Sequence, residues 1–242
     1  MSALVEAFSY GVSHRSCGSA RLTVAGENVT LRPSGALWLE AAATLVVADV
    51  HFEKGSAFAA RGQMLPPFDT RETLRRLAAE VRATAAARIV FLGDALHDGK
   101  AESRLSNADR EGIEALAREV QLVWIVGNHD AEGPKALPGQ VIDDLAYGAL
   151  MLRHEPSLGL AFGEVAGHLH PCAKVAGKGA NVRRRCFITD GERLILPAFG
   201  AYAGGLNVRD AAFSGMFVRA PLAICLGQSR SHPVSWGKLV GD

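Results

Sequence analysis

Three short apolar segments alternate with helical patterns, and this alternation constrains the fold of the 242-residue chain more than any other feature. The apolar segments cover residues 44–48, 88–92 and 122–126, and polar residues follow each of them directly. Apolar residues recur at helical spacing in between, within 69–86 and 113–120. Because strands that are apolar throughout are buried on both faces, the pattern predicts an α/β domain whose sheet is covered on both sides.

The regions on either side of this alternation favour shorter strands. Residues 20–40 contain three predicted strands, separated by segments that hold glycine or proline. After residue 145 the helical pattern fades, and we expect an antiparallel or mixed sheet that packs on the first, within a single domain over 1–242. The predicted strands of this second half are 149–153, 160–167, 185–189, 193–196, 216–219 and 222–226.

The composition is that of an ordinary globular protein, with 48% hydrophobic and 21% charged residues. The formal net charge is +1, but residues 1–170 carry a net −5 and residues 171–242 a net +6. A sum near zero therefore neither predicts nor excludes a nucleic-acid partner. The sequence shows no signal-peptide pattern, no apolar run of membrane-spanning length and no CxxC pair. We therefore expect a cytoplasmic protein with no membrane partner.

Residues with metal-binding side chains stand at or just after the ends of predicted strands, where open α/β sheets bind ligands. Residues i and i+2 of an extended strand point the same way, so we expect Asp49 and His51 to converge on one ion. The same holds for His168 and His170. Carboxylate, amide and imidazole groups without thiolate suit manganese, iron, zinc or magnesium, and their number favours two ions. The candidates are Asp49, His51, Asp94, Asn128, His154, His168 and His170.

Each piece of this pattern also has an ordinary structural interpretation. Glycine and aspartate after a strand usually form a turn, and a single histidine such as His154 is usually a satisfied polar residue. Asp130 either orients His129 or caps the loop that carries it. The pieces nevertheless occur in one chain in the order DxH, GD, GNHD, H and GHxH. Their joint occurrence indicates a metal-dependent site.

This series of motifs resembles the calcineurin-like metallophosphoesterase superfamily over residues 44–172. The resemblance implies a four-layer αββα sandwich of two mixed sheets flanked by helices, with a β-rich part at 173–242. It also implies a dinuclear centre in which a shared water becomes the hydroxide that attacks phosphorus. Asp94 would bridge the two ions, and His129 would face the leaving-group oxygen or the phosphoryl charge. The remaining ligands would be Asp49, His51 and His170 for one ion, and Asn128, His154 and His168 for the other.

Longer blocks resemble one group within the superfamily, the bacterial DNA-ligase-associated metallophosphoesterases. They are ADVHFEKGSAFAARGQMLPPFDT at 48–70, GDALHD at 93–98, RHEP at 153–156, AGHLHP at 166–171 and LPAFGAYAGGLNV at 196–208. The resemblance implies a manganese-dependent phosphodiesterase and endonuclease. It further implies action on nucleic acid in DNA repair, alongside a DNA ligase, a helicase and an exonuclease.

Six residues are candidate substrate contacts, and each has a plainer alternative. Lys54 and Arg61 follow the first motif, where a phosphate clamp would be useful, but they also suit a solvated loop. His97 stands where many superfamily members carry aspartate, and it is either a substrate group or a structural histidine. The run Arg183, Arg184 and Arg185 suits a phosphate backbone or a solvated strand face.

The leading hypothesis is a binuclear metal-dependent phosphodiesterase that acts on nucleic acid. A phosphomonoesterase or a small-nucleotide phosphodiesterase of the same fold would use the same ligands, so the sequence does not separate these alternatives. A non-catalytic protein-binding scaffold is a third interpretation. The complete set of candidate ligands, together with His129, argues against it.

Overall fold

The three apolar segments form parallel strands in the middle of the first of two β-sheets. The computed structural model describes residues 10–63, 65–177 and 179–242. Within them, the first sheet has eight strands in sequence order, antiparallel from β1 to β5 and parallel from β5 to β8. These strands are β1 Ser13–His14, β2 Ala20–Val24, β3 Glu27–Leu31, β4 Leu37–Leu39, β5 Thr44–Val47, β6 Arg88–Leu92, β7 Gln121–Ile125 and β8 Gln140–Ile142.

The second half of the chain forms a mixed sheet, as the sequence predicts. Its nine described strands run in the order β15-β12-β13-β14-β11-β10-β9, and β16 joins β13 to β17. β10, β11 and β14 are parallel to one another, whereas β13, β16 and β17 form antiparallel pairs. The strands are β9 Leu145–Tyr147, β10 Leu150–Arg153, β11 Glu164–Ala166, β12 Pro171–Val175, β13 Val182–Thr189, β14 Leu194–Ile195, β15 Leu206–Asn207, β16 Leu222–Leu226 and β17 Ser231–Ser235.

Helices cover the outer face of the first sheet. Leu77 of α2 and Ile113 of α4 lie in one apolar cluster with Phe91 and Trp124 of the sheet, whose rings stack 4.0 Å apart. None of the described helices is long and apolar enough to cross a membrane. The helices are α1 Lys54–Ala59, α2 Asp69–Thr84, α3 Ala101–Arg104 and α4 Asn107–Glu119, with 3-10 helices at Glu40–Ala42, Ala211–Phe213 and Trp236–Lys238.

The inner faces of the two sheets share one apolar core, which contains Leu31 and Val90 of the first sheet and Phe187 and Ile224 of the second. This confirms the predicted sandwich of two mixed sheets. The outer layer of the second sheet differs from the expectation, because within the described residues it consists of 3-10 helices and loops. Phe213 belongs to the apolar cluster on that face.

One predicted strand is wrong. Residues 216–219 have strand-like composition but form no ladder, because side chains satisfy their backbone groups. The Val218 amide donates to Asp190 Oδ2 at 2.7 Å, and Arg193 Nη1 donates to the Met216 carbonyl at 3.0 Å. The side chains of Asp190 and Arg193 therefore fix this segment in place of hydrogen bonds to a neighbouring strand.

The fully buried Arg193 joins three segments of the second half. Its Nε lies 3.0 Å from Glu164 Oε1, and its Nη2 donates to the Ser157 carbonyl at 2.9 Å. Truncating a buried ion pair leaves the remaining charge without compensation. We expect Arg193→Met to lower the free energy of unfolding by about 3–5 kcal/mol.

Urea unfolding followed by circular dichroism measures this effect. The matched control is Arg230→Met at an exposed position, where we expect a change within about 0.5 kcal/mol. Equal unfolding midpoints for the two variants would show that Arg193 does not have this structural role.

Candidate metal centre

The candidate metal centre lies at the carboxyl ends of the parallel strands β5, β6 and β7, at the edge of the sandwich. One ligand motif follows each of these strands. Two more motifs come from the second sheet, one after β10 and one between β11 and β12. Together they bring into contact Asp49, His51, Asp94, Asn128, His129, His154, His168 and His170.

The backbone at this centre is mostly left-handed. The φ angles are 53° at Asp49, 46° at His51, 47° at Asp94, 66° at His168 and 45° at His170. Residues other than glycine seldom adopt this conformation, which costs free energy and clusters at functional sites. His168 and His170 do not converge on one ion as expected, because they belong to different clusters of candidate ligands, whereas Asp49 and His51 do converge. We predicted that convergence from an extended backbone. This part of the prediction is wrong, because left-handed backbone at Asp49 and His51 brings the two side chains together.

Asp49, His51 and His170 form the first ligand group, called here the Asp49 group. Their nearest ligand atoms all lie within 4.8 Å of one another. His170 Nε2 is 3.3 Å from Asp49 Oδ1 and 3.4 Å from His51 Nε2. His51 Nδ1 is buried and has no hydrogen-bond partner among the described residues. Two facing ring nitrogens beside a buried carboxylate fit a divalent cation of borderline hardness.

Asp94, His154 and His168, with Asn128, form the second group, called the Asp94 group. His154 Nε2 lies 2.9 Å from Asn128 Oδ1, 3.3 Å from His168 Nδ1 and 3.4 Å from Asp94 Oδ1. His154 Nδ1 donates to the Leu92 carbonyl at 3.1 Å, so that Nε2 is the nitrogen directed at this group and becomes a ligand atom when a metal displaces its proton. This is how a metal-binding histidine is commonly oriented.

Charge at the centre favours cations. Burial lowers the pKa of His51 to about 2, and the neighbouring His170 adds to the effect, so that His51 is neutral. Burial opposes ionisation of Asp94, but the hydrogen bond and charge of His154 outweigh it and lower the Asp94 pKa to about 2. Burial likewise opposes the charge on His154, whereas Asp94 and Asp49 raise the pKa of that imidazole to about 9. The carboxylates thus stabilise positive charge between the two groups.

His129 stands beside the two groups with a fixed ring orientation. Its amide donates to Asp94 Oδ1 at 2.9 Å, and its Nδ1 donates to the His97 carbonyl at 2.8 Å. The side chain is 43% exposed, and Nε2 lies 4.0 Å from Asp94 Oδ2. With Nδ1 occupied by the carbonyl, Nε2 is the atom available to a ligand at the centre.

Asp130 does not orient His129. Its carboxylate accepts hydrogen bonds from the amides of Gly127 at 3.0 Å and Leu96 at 2.9 Å. Burial and the nearby Asp94 raise the pKa of Asp130 to about 6 against these hydrogen bonds. Of the two interpretations of Asp130, the loop cap is therefore the one that the structure supports.

The three arginines of the run at 183–185 have different partners in the structure. Arg183 donates to the Asp242 carboxylate at 2.5 Å, and Arg184 is exposed and donates to the carbonyl of Arg183 at 3.0 Å. Arg185 donates to the Ala198 carbonyl at 2.7 Å, and burial lowers the pKa of its guanidinium. The expected three-arginine patch is thus wrong for Arg185, whose charge holds the protein's own backbone.

Lys54, Arg61 and His97 lie on one side of the centre, next to α1. The His97 ring is 5.4 Å from that of His51 and 5.5 Å from that of His129, measured between centroids. The structure therefore brings His97 to the site, where His51, His97 and His129 form a third group whose ring nitrogens lie within 4.8 Å of one another.

The glycines of the motifs have a second function that sequence reasoning missed. A Cβ on Gly93 would overlap the ring of His154, and a Cβ on Gly127 would overlap Asp94 Oδ1. A Cβ on Gly167 would lie 2.9 Å from Asp49 Oδ2. Each glycine thus leaves room for a ligand as well as turning the chain. The signal in the sequence is that all three stand within two residues of a ligand.

We expect Gly93→Ala to weaken metal binding, because it displaces His154 and strains a residue whose φ is +71°. The strain costs about 1–3 kcal/mol of stability. Isothermal titration with Mn²⁺ and urea unfolding measure the two effects. Gly99→Ala is the control, since a Cβ there meets open space. Unchanged Mn²⁺ affinity in folded Gly93→Ala would contradict the prediction.

Comparison with known proteins agrees with this geometry. The sequence profile of the calcineurin-like phosphoesterases matches residues 43–193. Among solved structures, the nuclease MPE of Pseudomonas putida is 28% identical, with a TM-score of 0.71 over 89% of this chain and 100% of that one. The E. coli phosphoesterase Yfce is 17% identical, with a TM-score of 0.37 over 79% and 98%. No curated protein sequence matches.

The matched profile spans more than half of the chain and includes every residue of the Asp49 and Asp94 groups. Members of the family bind divalent metals, and both groups have the donors to hold them. The chain therefore belongs to the calcineurin-like phosphoesterase family, and it is a hydrolase of phosphoric esters.

Proposed function

We propose that the protein is a binuclear metal-dependent phosphodiesterase that cleaves nucleic acid. The observation that carries this proposal is the contact between the Asp49 group and the Asp94 group. His154 belongs to the Asp94 group, and its Nδ1 also lies 3.9 Å from Asp49 Oδ1. Two adjoining donor sets of carboxylate and imidazole suit a pair of divalent ions.

The Asp49 group would hold one ion and the Asp94 group with Asn128 the other, with Asp94 shared between them. When bound, the ions supply Lewis-acid activation of water and of the phosphoryl oxygens. His129 acts beside them. Because its Nδ1 donates to the His97 carbonyl, Nε2 carries a proton only in the imidazolium form. In that form His129 donates to the developing charge on the phosphoryl or leaving-group oxygen.

Three observations support a nucleic-acid substrate. The neighbour from Pseudomonas putida is a nuclease, and its similarity covers 89% of this chain. Residues 171–242 carry a net charge of +6. The motif blocks resemble those of DNA-ligase-associated enzymes. On this basis we propose manganese as the metal, and DNA repair with a ligase, a helicase and an exonuclease in the cytoplasm as the setting.

We expect manganese-stimulated hydrolysis of bis-p-nitrophenyl phosphate and of oligonucleotides by the purified protein. Asp94→Ala removes the ligand that we propose the two ions would share, so that metal content and activity should both fall. His129→Ala keeps the ligands, so that metal content should stay while kcat falls about 100- to 1,000-fold. Metal analysis and steady-state kinetics measure these outcomes, with circular dichroism as the control for folding.

The substrate panel separates the alternatives of the same fold. It contains single- and double-stranded DNA and RNA, small diesters and phosphomonoesters. Preference for monoesters would favour a phosphatase over the proposed phosphodiesterase. Protein that binds manganese but leaves every diester intact would refute the proposal, and tight protein binding without metal uptake would favour a scaffold.

A further inference from the structure

The side of α1 that borders the metal centre carries cations that the proposed mechanism does not use. Lys54 and Phe58 stand at positions i and i+4 of this helix, so that they share one face. The backbone continues as right-handed helix at Ala60, and Arg61 follows one turn beyond Phe58. The Phe58 ring lies 6.0 Å from that of His97. This face is thereby fixed against the centre.

The His97 side chain lies between Phe58 of α1 and the histidines of the centre, and we call it the floor of this region. Its residue surface is 8% exposed, and its Nδ1 is buried with no hydrogen-bond partner among the described residues. One of its ring nitrogens lies within 4.8 Å of ring nitrogens of both His51 and His129. A buried polar side chain without a partner costs free energy, and a ligand beside it can offset that cost.

The positive charge at this place is incompletely neutralised. Among the described residues, the Lys54 ammonium has no ion-pair partner within 4.0 Å, and its side chain is half-buried. Burial lowers the pKa of Lys54, whereas Asp69 acts in the opposite direction. The Asp69 carboxylate also accepts the Gly55 amide at 3.1 Å.

The opposite side of the centre is acidic. A cavity of about 440 Å³ beside Asn128 is lined by Asp143, Asp144 and Glu155. Arg153 also lines it, but its Nη2 lies 3.0 Å from Asp144 Oδ2 and is already paired. A polyanionic strand is therefore repelled from this side and attracted to α1.

We infer that Lys54 and Arg61, above the floor made by His97, bind the phosphate that neighbours the scissile phosphate in a nucleic-acid strand. This inference rests on the proposed function and adds to it a second phosphate subsite. The subsite makes the enzyme prefer a diester that has a further phosphate on one side. A half-buried lysine and an exposed arginine on the same side of the centre supply charge-assisted hydrogen bonds to such a group.

The test compares thymidine dinucleotides that differ by one terminal phosphate, namely TpT, pTpT and TpTp, with manganese. We expect one of the two phosphorylated dinucleotides to be cleaved with a kcat/KM about 10- to 100-fold above that of TpT. The Lys54→Met variant should lose most of this gain while it loses much less activity on TpT. Lys238→Met, at an exposed position of the C-terminal 3-10 helix, is the matched control and should keep the gain.

Three results are informative. A gain that Lys54→Met removes and Lys238→Met preserves supports the subsite. Cleavage of TpT with no gain from either terminal phosphate, or with a gain that survives in Lys54→Met, overturns the subsite and leaves the proposed phosphodiesterase intact. Manganese-loaded protein that cleaves none of the dinucleotides and no other diester overturns the proposed function, and the subsite with it.

Discussion

The geometry of the centre depends on two carboxylates, each of which accepts a hydrogen bond from a backbone amide of another loop. Asp49 Oδ2 accepts the His168 amide at 3.0 Å, and so ties the end of β5 to the loop between β11 and β12. Asp94 Oδ1 accepts the His129 amide at 2.9 Å, and ties the end of β6 to the loop after β7. The same two side chains are ligand candidates. Their hydrogen bonds to backbone amides therefore set the distance between segments that contribute ligands from both sheets, and the bond from the His129 amide helps to lower the pKa of the buried Asp94.

Arg193 and Arg185, which are not ligand candidates, likewise bind backbone groups of other segments. Arg193 holds the segments at Ser157 and Met216, and Arg185 holds the carbonyl of Ala198. The Ala198 segment in turn forms a bridge with Ala48, next to Asp49. At residues 198 and 216, charged side chains thus bind backbone carbonyls that in a regular sheet would accept hydrogen bonds from a neighbouring strand. This arrangement costs desolvation, which the ion pair of Arg193 with Glu164 and the hydrogen bonds to backbone carbonyls offset.

Much of the fold and of the ligand set follows from the sequence, for identifiable reasons. β5, β6 and β7 are apolar at nearly every position, and the ligands follow them at once, so that both strand and site were predictable. The sequence does not reveal left-handed backbone at Asp49 or His51, because that conformation depends on the surrounding loops. It also does not reveal β17, which contains Pro233, or the loop at 216–219, whose partners are the distant Asp190 and Arg193. Contacts with side chains that are distant along the chain leave no pattern in the local sequence, so they cannot be predicted from it.

The hydrogen bond between His129 Nδ1 and the carbonyl of residue 97 has a consequence for the side chain at that position. Every amino acid carries a carbonyl, so the ring of His129 is oriented in the same way whatever side chain occupies position 97. A carboxylate there, as in many superfamily members, is not needed to hold the tautomer. The side chain at position 97 therefore does not decide how the His129 ring is oriented. A histidine at this position can face the space beside α1 while its backbone carbonyl holds the ring of His129.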